Sequence, residues 1–147
     1  MSSSYDDELI KDLELNKLST KVEVVENIEY YLNLLEQKFQ FNGSRIDWSQ
    51  IDRHMSEELN DEYLLAGLRQ FISKIKENHL IDKEVELIYF GDSLTEYGYK
   101  FELRDIEQII VHLLEIPQHH YFVPVQGDWC LCVSYEYYID FGFSLKE

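Results

Sequence analysis

The chain has 147 residues, of which 45% are hydrophobic and 29% are charged, a length and composition typical of one globular domain. We therefore expect a single domain over residues 1–147. The 29 acidic residues outnumber the 13 basic residues, which gives a net charge of −16 at pH 7. A surface of that sign repels phosphate backbones and anionic membranes and attracts basic partners, so we expect no direct binding to nucleic acid or to membranes.

Three sequence features predict a cytoplasmic protein. Residues 1–7 contain neither a basic region nor an apolar stretch, so we expect no signal peptide, and we expect residues 1–4 to be disordered. No apolar run approaches the roughly 18 residues that span a bilayer. Cys130 and Cys132 are too close for an ordinary disulfide and suit a reducing compartment.

The first forty residues have the periodicity of amphipathic helices. A short helix is predicted over 5–18. A stronger helix is predicted over 21–40, where apolar residues recur every three or four positions. Thr20 and Glu23 have the spacing of a capping box at its start.

Helical spacing continues in the next stretch of the chain. Trp48, Ile51 and Met55 lie three and four residues apart, which favours a short helix within 46–58. A further helix with a clear apolar face is predicted over 61–78.

The pattern then changes to that of strands. Val85, Leu87 and Tyr89 occupy alternate positions, and a second alternating run covers 97–103. The two runs predict a hairpin with a loop of about six residues.

The remainder predicts one helix and three strands. Asp105 and Gln108 have capping-box spacing at the start of the helix, and Pro117 stops it. The strands are predicted over 120–125, 129–135 and 137–143. This order of elements predicts an α+β fold: N-terminal helices, then a β-hairpin, a helix and three C-terminal antiparallel strands forming one sheet packed on helices.

The segment Gly91-Asp92-Ser93-Leu94 resembles the nucleophile block of the GDSL esterases, in which the serine attacks an acyl carbon. That family also needs a downstream Asp-x-x-His, which this chain lacks, and a serine without a positioned base is not activated. The same residues suit a turn, because Gly, Asp and Ser satisfy their own backbone. An esterase using Ser93 is the enzyme alternative, and we expect no enzyme.

Several histidines and cysteines are candidates for a metal site: His112, His119, His120, Cys130 and Cys132, with Glu115 between them. Mixed His and Cys ligands suit zinc, but the spacing matches no standard zinc pattern. Two cysteines on one face of a strand usually behave as small apolar residues. We expect no metal and no cofactor, and any role of these residues beyond packing stays open.

Acidic pairs recur at Asp6-Asp7, Glu57-Glu58 and Asp61-Glu62. Such pairs can bind a cation. Negative charge also complements the dipole at the start of a helix. We therefore predict that they are solvated helix starts.

Aromatic residues are abundant, with eleven Tyr, eight Phe and two Trp, many of them in the C-terminal strands. If only one face of the sheet is covered, aromatic residues on the other face suit a protein interface. If helices cover both faces, the same residues are ordinary core. Trp129 alternates with Leu131 and Val133, so we expect it in the core.

The C-terminal segments 119–124, 128–134 and 139–143 together resemble the C-terminal sheet of small immunity proteins encoded beside bacterial polymorphic toxins. The resemblance covers roughly the last forty residues. It implies a small, acidic, cytoplasmic, non-enzymatic antitoxin that binds and blocks a cognate toxin domain, frequently a basic nuclease. A general protein-interaction adaptor is the alternative, and the sequence leaves the oligomeric state open.

On this hypothesis, carboxylates on the sheet loops meet Lys and Arg of the toxin, and aromatic residues supply buried anchors. The residues predicted to bind the partner are Asp92, Glu96, Asp128, Tyr135, Glu136, Tyr138 and Asp140. Glu136, Tyr138 and Asp140 have the same parity in the last strand, so one face would combine charge with aromatic surface.

Overall fold

The computed structural model describes residues 2–42, 45–51, 54–79 and 84–144. Within these ranges the fold is α+β, as predicted, with four α-helices and a seven-stranded antiparallel sheet. The helices are α1 (Ser4–Leu15), α2 (Glu29–Lys38), α3 (Leu64–His79) and α4 (Ile106–Leu113). The strands are β1 (Glu23–Val25), β2 (Phe41–Asn42), β3 (Arg45–Ile46), β4 (Met55–Glu58), β5 (Glu86–Gly91), β6 (Gly98–Glu102), β7 (His120–Pro124), β8 (Trp129–Val133) and β9 (Tyr138–Phe143).

The large sheet has the strand order β1-β6-β5-β7-β8-β9-β4, and β2 pairs only with β3. The predicted hairpin is confirmed, because β5 pairs with β6 from Glu86 opposite Glu102 to Tyr89 opposite Tyr99. The three predicted C-terminal strands are also confirmed as an antiparallel series, with β8 between β7 and β9.

One face of the sheet carries the larger core. It packs against α1, α3 and α4, which contribute residues such as Leu9, Phe71 and Ile109. Trp129 lies in this core with 4% of its surface exposed, so the expectation for it is confirmed. We call this face the helix-covered face.

The opposite face carries a smaller core. Its cover is α2 together with residues 39–42 and 45–51, which contribute side chains such as Leu35, Phe39 and Ile46. Cys130 and Cys132 are free thiols buried in this core, where they pack as apolar groups. We call this face the hairpin face, after the β2–β3 hairpin that lies on it.

Two predictions for the N-terminal half were wrong. Residues 23–25 form an edge strand paired with β6, so the helix predicted over 21–40 begins only at Glu29. The β-branched Val24 and Val25 favour a strand, and β6 offers them hydrogen bonds that a helix start would not. The capping box of Thr20 and Glu23 does not form, because Thr20 lies inside the short 3₁₀ turn Ser19–Lys21.

The short helix predicted within 46–58 was also wrong. The chain makes a 3₁₀ turn at Trp48–Gln50 and then forms β4, which pairs with β9 at the other edge of the sheet. The helical spacing of Trp48 and Ile51 did not indicate an α-helix. Both side chains pack on the hairpin face from the short 3₁₀ turn and the residue that follows it. The later helices over 64–79 and 106–113 are confirmed, although Asp105 makes no side-chain cap to α4.

The start of the chain and its first acidic pair also differ from expectation. We expected disorder over 1–4, whereas Ser3 is the N-cap of α1 and Ser4 is its first residue. Asp6, predicted to be solvated, is fully buried. Glu57-Glu58 lies in β4 rather than at a helix start.

Asp6 holds the loop between β5 and β6 against α1. Its carboxylate accepts hydrogen bonds from the backbone N–H groups of Glu96 and Tyr97 at 2.7 and 3.2 Å, and from the hydroxyl of Tyr99 at 2.5 Å. Burial raises the pKa of this carboxyl, but the hydrogen bonds to the charged form outweigh burial and leave the pKa below its usual value. These hydrogen bonds therefore hold the β6 side of the 92–97 loop in place against α1.

Candidate functional site

The candidate site lies at one end of the sheet, where β5 and β8 end and β7 and β9 begin. The register places Gly91 opposite His120, His120 opposite Val133, and Val133 opposite Ile139. The connections at 92–97 and 134–137 therefore leave the sheet side by side. We call this the loop end of the sheet.

His119 joins these two connections. Its backbone N–H donates to Oδ1 of Asp92 at 3.0 Å, and its ring Nδ1 accepts from the backbone N–H of Tyr135 at 3.0 Å. Its ring Nε2 contacts the guanidinium of Arg45 on the β2–β3 hairpin. The Arg45 guanidinium also lies 4.0 Å from a carboxylate oxygen of Glu136. His119 thus ties three separate parts of the chain together.

The turn between β8 and β9 presents two tyrosines to solvent. Tyr137 has a positive φ of 66°, which tightens this connection. Ser134 closes it, because its N–H donates to the carbonyl of Tyr138 at 2.9 Å and its hydroxyl accepts from the N–H of Tyr138 at 3.0 Å. Tyr135 is 58% exposed and Tyr138 is 46% exposed.

A pocket of about 270 Å³ opens beside this turn on the hairpin face. Glu136, Tyr138 and Asp140 line one part of it, although Glu136 lies in the turn before β9 and strand parity therefore does not place it there. Its other lining residues are Arg45, Ile46, Trp48, His119, Tyr121, Cys132 and Ser134. We call it the β9 pocket.

Asp140 is oriented by a neighbour on the pocket rim. An oxygen of its carboxylate lies 2.7 Å from Nε2 of His54. The His54 ring in turn stacks on Trp48, with ring centroids 5.2 Å apart. The carboxylate therefore has a defined position in the pocket wall.

A second pocket, of about 240 Å³, opens on the same face beside α2. Its lining residues are Leu32, Leu35, Glu36, Phe41, Gly91, Asp92 and Tyr121. We call it the α2 pocket. Tyr121 lines both pockets, so they are neighbours on one surface.

The structure brings together five of the seven predicted site residues. Asp92, Tyr135, Glu136, Tyr138 and Asp140 all belong to the loop end or to the pockets beside it. Glu96 lies in the same 92–97 connection as Asp92, but in the part that packs on α1, where its backbone N–H donates to Asp6. Asp128 lies at the opposite end of the sheet, where its carbonyl accepts from the N–H of Ser144 at 3.0 Å.

Sequence reasoning missed several residues of this surface, among them Arg45, Trp48, His54 and Glu36. Three of these lie between α2 and β4, in or beside a stretch that was predicted to be helical. No short-range pattern connects Arg45 with His119 or His54 with Asp140, which are far apart in the chain. Only the folded sheet reveals these neighbours.

Ser93 lacks the surroundings of a serine nucleophile. Its hydroxyl donates to Oδ1 of Asp92 at 3.3 Å, and its N–H faces Oε1 of Gln118 at 3.3 Å. In the part of the chain that the structure describes, no histidine is hydrogen-bonded to Ser93. The nearby His119 ring is engaged by Tyr135 and Arg45 instead. The segment serves as the connection between β5 and β6.

Three buried titratable groups on β7 and β8, His120, Cys130 and Cys132, favour their neutral forms. Burial lowers the pKa of His120 to about 4, and its Nδ1 pairs with the hydroxyl of Tyr89 at 2.7 Å. Burial also raises the pKa of Cys130 and of Cys132, so both stay protonated thiols at neutral pH. Among the described residues, no group of three or more His, Cys, Asp or Glu side chains is placed to hold a metal ion.

Comparisons with known proteins give no family. No protein-family model matches the chain, and no curated protein matches it. Over the described ranges, none of the helices combines the length and the apolar character needed to cross a membrane. What the protein does must therefore be inferred from the surface itself.

Proposed function

We propose that the protein is a non-enzymatic immunity protein that binds and neutralises a cognate toxin domain, and that the toxin is a basic nuclease. One observation carries this proposal: exposed Tyr138 lines a concave surface together with Glu136 and Asp140, and exposed Tyr135 lies in the adjoining turn. The resemblance of the C-terminal strands to bacterial immunity proteins and the net charge of −16 support it.

The two kinds of side chain have separate roles in this binding. Tyrosines bring large apolar area with little loss of conformational freedom, and they usually supply much of the binding energy of an interface. Carboxylates pair with Lys and Arg and raise the association rate. A nuclease groove binds phosphates with such cations, so carboxylates placed in that groove block its substrate.

The surroundings of Ser93 support binding over catalysis. Its hydroxyl is directed to a carboxylate rather than to an imidazole. The two buried thiols and the neutral His120 offer no activated nucleophile. These observations favour the immunity proposal over the esterase alternative.

Co-purification with the product of the adjacent upstream gene tests the proposal. We expect a stable complex and loss of the toxin's activity on binding. The double variant Glu136→Lys/Asp140→Lys is expected to weaken binding about 100-fold or more, since close charge pairs at interfaces are each worth about 1.5–7 kcal/mol.

A matched control separates local contact from overall charge. Glu14→Lys/Glu77→Lys changes the net charge by the same amount at exposed positions on α1 and α3, which pack on the other face. We expect this control to weaken binding only a few-fold, chiefly through the association rate. Equal losses in both variants would place the interface elsewhere, and absence of any complex would refute the proposal.

A further inference from the structure

We infer that the loop end takes two basic side chains of its partner, one in the β9 pocket and one in the α2 pocket. This inference rests on the proposed function and specifies its partner: a polypeptide segment that carries two Lys or Arg residues. The two pockets flank Tyr121 on one surface.

Each of the two pockets combines aromatic side chains with two carboxylates. In the β9 pocket, the aromatic side chains of Trp48 and Tyr138 accompany the carboxylates of Glu136 and Asp140. In the α2 pocket, the aromatic side chain of Phe41 accompanies the carboxylates of Glu36 and Asp92. Tyr121 contributes to both walls.

Such a pocket suits a long cationic side chain. Lys and Arg carry an aliphatic stem that packs on apolar and aromatic surface, and a charged head that pairs with carboxylates. A guanidinium also interacts favourably with aromatic faces. An acidic or phosphate ligand would instead be repelled by the two carboxylates of the α2 pocket, and in the β9 pocket the two carboxylates outnumber the guanidinium of Arg45.

The protein already contains one pair of a guanidinium and a pocket carboxylate, Arg45 and Glu136. The guanidinium of Arg45 approaches Glu136 at 4.0 Å while remaining 60% exposed. Because Arg45 itself lines the β9 pocket and His54 contacts Asp140, a basic side chain of the partner must share these carboxylates with them. Among the described residues, no cation lines the α2 pocket, although Oδ1 of Asp92 already accepts hydrogen bonds from the N–H of His119 and the hydroxyl of Ser93.

Because the two pockets share Tyr121 in their walls, they are close enough for two cations of one short segment to bind at the same time. When one cation of a short segment is seated, the second is held near the other pocket at a high effective concentration. A segment with two cations therefore binds more tightly than either cation alone. This gain needs no change in the protein.

The first experiment is an NMR titration with N-acetyl-L-arginine methylamide. We expect weak, saturable shifts of backbone amides around both pockets. The citrulline analogue, which has the same shape without the charge, is the control and should cause no such shifts. Shifts at only one pocket, no shifts, or equal shifts with citrulline would overturn the inference.

Two double variants assign the pockets. Glu36→Gln/Asp92→Asn should abolish arginine binding only at the α2 pocket, and Glu136→Gln/Asp140→Asn only at the β9 pocket. The amide side chains keep acceptor oxygens, so residue 92 can still accept from the N–H of His119. If both pockets respond equally to each double variant, the separate sites do not exist.

A peptide series then tests the linkage. Peptides with two arginines joined by one to four glycines are compared with peptides in which citrulline replaces one arginine. At the best linker length we expect the two-arginine peptide to bind about 10-fold or more tightly, and either double variant to remove that gain. Equal affinity at every linker length would overturn the inference.

The outcome is distinct from that of the co-purification. The peptide experiments need no toxin, so their failure leaves the proposed immunity function standing. A toxin complex that forms but is insensitive to both double variants would overturn the two-pocket inference alone. Absence of a toxin complex would overturn the proposed function whatever the peptides do.

Discussion

The two faces of the sheet differ in how completely they are covered. On the helix-covered face, α1, α3 and α4 pack against the strands and bury large side chains such as Tyr89 and Phe122. On the hairpin face, the ten-residue α2 together with residues 39–42 and 45–51 leaves two pockets open. Polar and aromatic side chains stay accessible where cover is incomplete, and the candidate site lies there.

The same residue type behaves differently on the two faces. Asp6 is buried on the helix-covered side, where backbone and Tyr99 donors surround its carboxylate. Asp140 lies in the wall of the β9 pocket and contacts His54 at 2.7 Å. The first carboxylate is enclosed by donors of the fold, and the second lines a pocket that opens to solvent.

Removing one tryptophan from each face tests this contrast most strongly. Trp129→Ala should lower the free energy of unfolding by about 3–5 kcal/mol, because it empties a well-packed aromatic site. Trp48→Ala should cost less than half as much, since Trp48 is only partly buried at the pocket rim. Urea unfolding measures both, and equal losses would show that the two faces contribute alike.

The buried carboxylate should give the next largest effect. Asp6→Asn is expected to lower the free energy of unfolding by about 2–3 kcal/mol, since the amide group would face donors and leave some of them unsatisfied. Asp7→Asn is the matched control at the next residue, which is exposed, and should be nearly neutral. A neutral Asp6→Asn would mean that the network does not stabilise the fold.

The same carboxylate predicts a pH dependence. The pKa of Asp6 is lower in the folded protein than its usual value of 3.8, so its stabilising effect is full at neutral pH and is lost as the pH falls below about 4. The stability difference between wild type and Asp6→Asn should therefore shrink from pH 6 to pH 3. Thermal melts across this range measure it, and a constant difference would contradict the assignment.

The smallest effect on stability is expected at the candidate site. Glu136→Lys/Asp140→Lys should lower the free energy of unfolding by about 1–2 kcal/mol, because the Glu136 side chain is half exposed, while Asp140 is 17% exposed and loses its contact with His54. The same double variant should have the large effect on toxin binding described above. A loss of stability as large as that of Trp129→Ala would make these residues part of the fold instead of the site.

Much of the C-terminal half could be predicted from short-range patterns. The alternation at Leu87 and Tyr89 and the apolar face of α4 are set by neighbouring residues, so the β5–β6 hairpin and α4 followed from the sequence. Part of the site followed as well, because Tyr138 and Asp140 are alternate residues of β9 and both line the β9 pocket, whereas Glu136 lies in the turn before the strand. The pairings between strands that are far apart in the chain could not be predicted from such short-range patterns.

The two stretches wrongly predicted to be helical form the edge strands of the sheet, β1 and β4. Val24 lies opposite Tyr99, and Ser56 lies opposite Asp140. Each pairing joins residues more than seventy positions apart, so the local spacing of apolar residues could indicate a helix in both stretches. The hydrogen bonds offered by β6 and β9 decided in favour of strands.

The sequence by itself determined the acidic charge, the α+β class and the core position of Trp129, because composition and periodicity are local properties of the chain. Tertiary structure decided which carboxylates are buried and which line the open pockets. Asp6 became a buried anchor only because β5 and β6 bring Glu96 and Tyr99 to it. The two pockets exist only because the hairpin carrying Arg45 lies across strands distant in sequence, and such contacts form when the chain folds on itself.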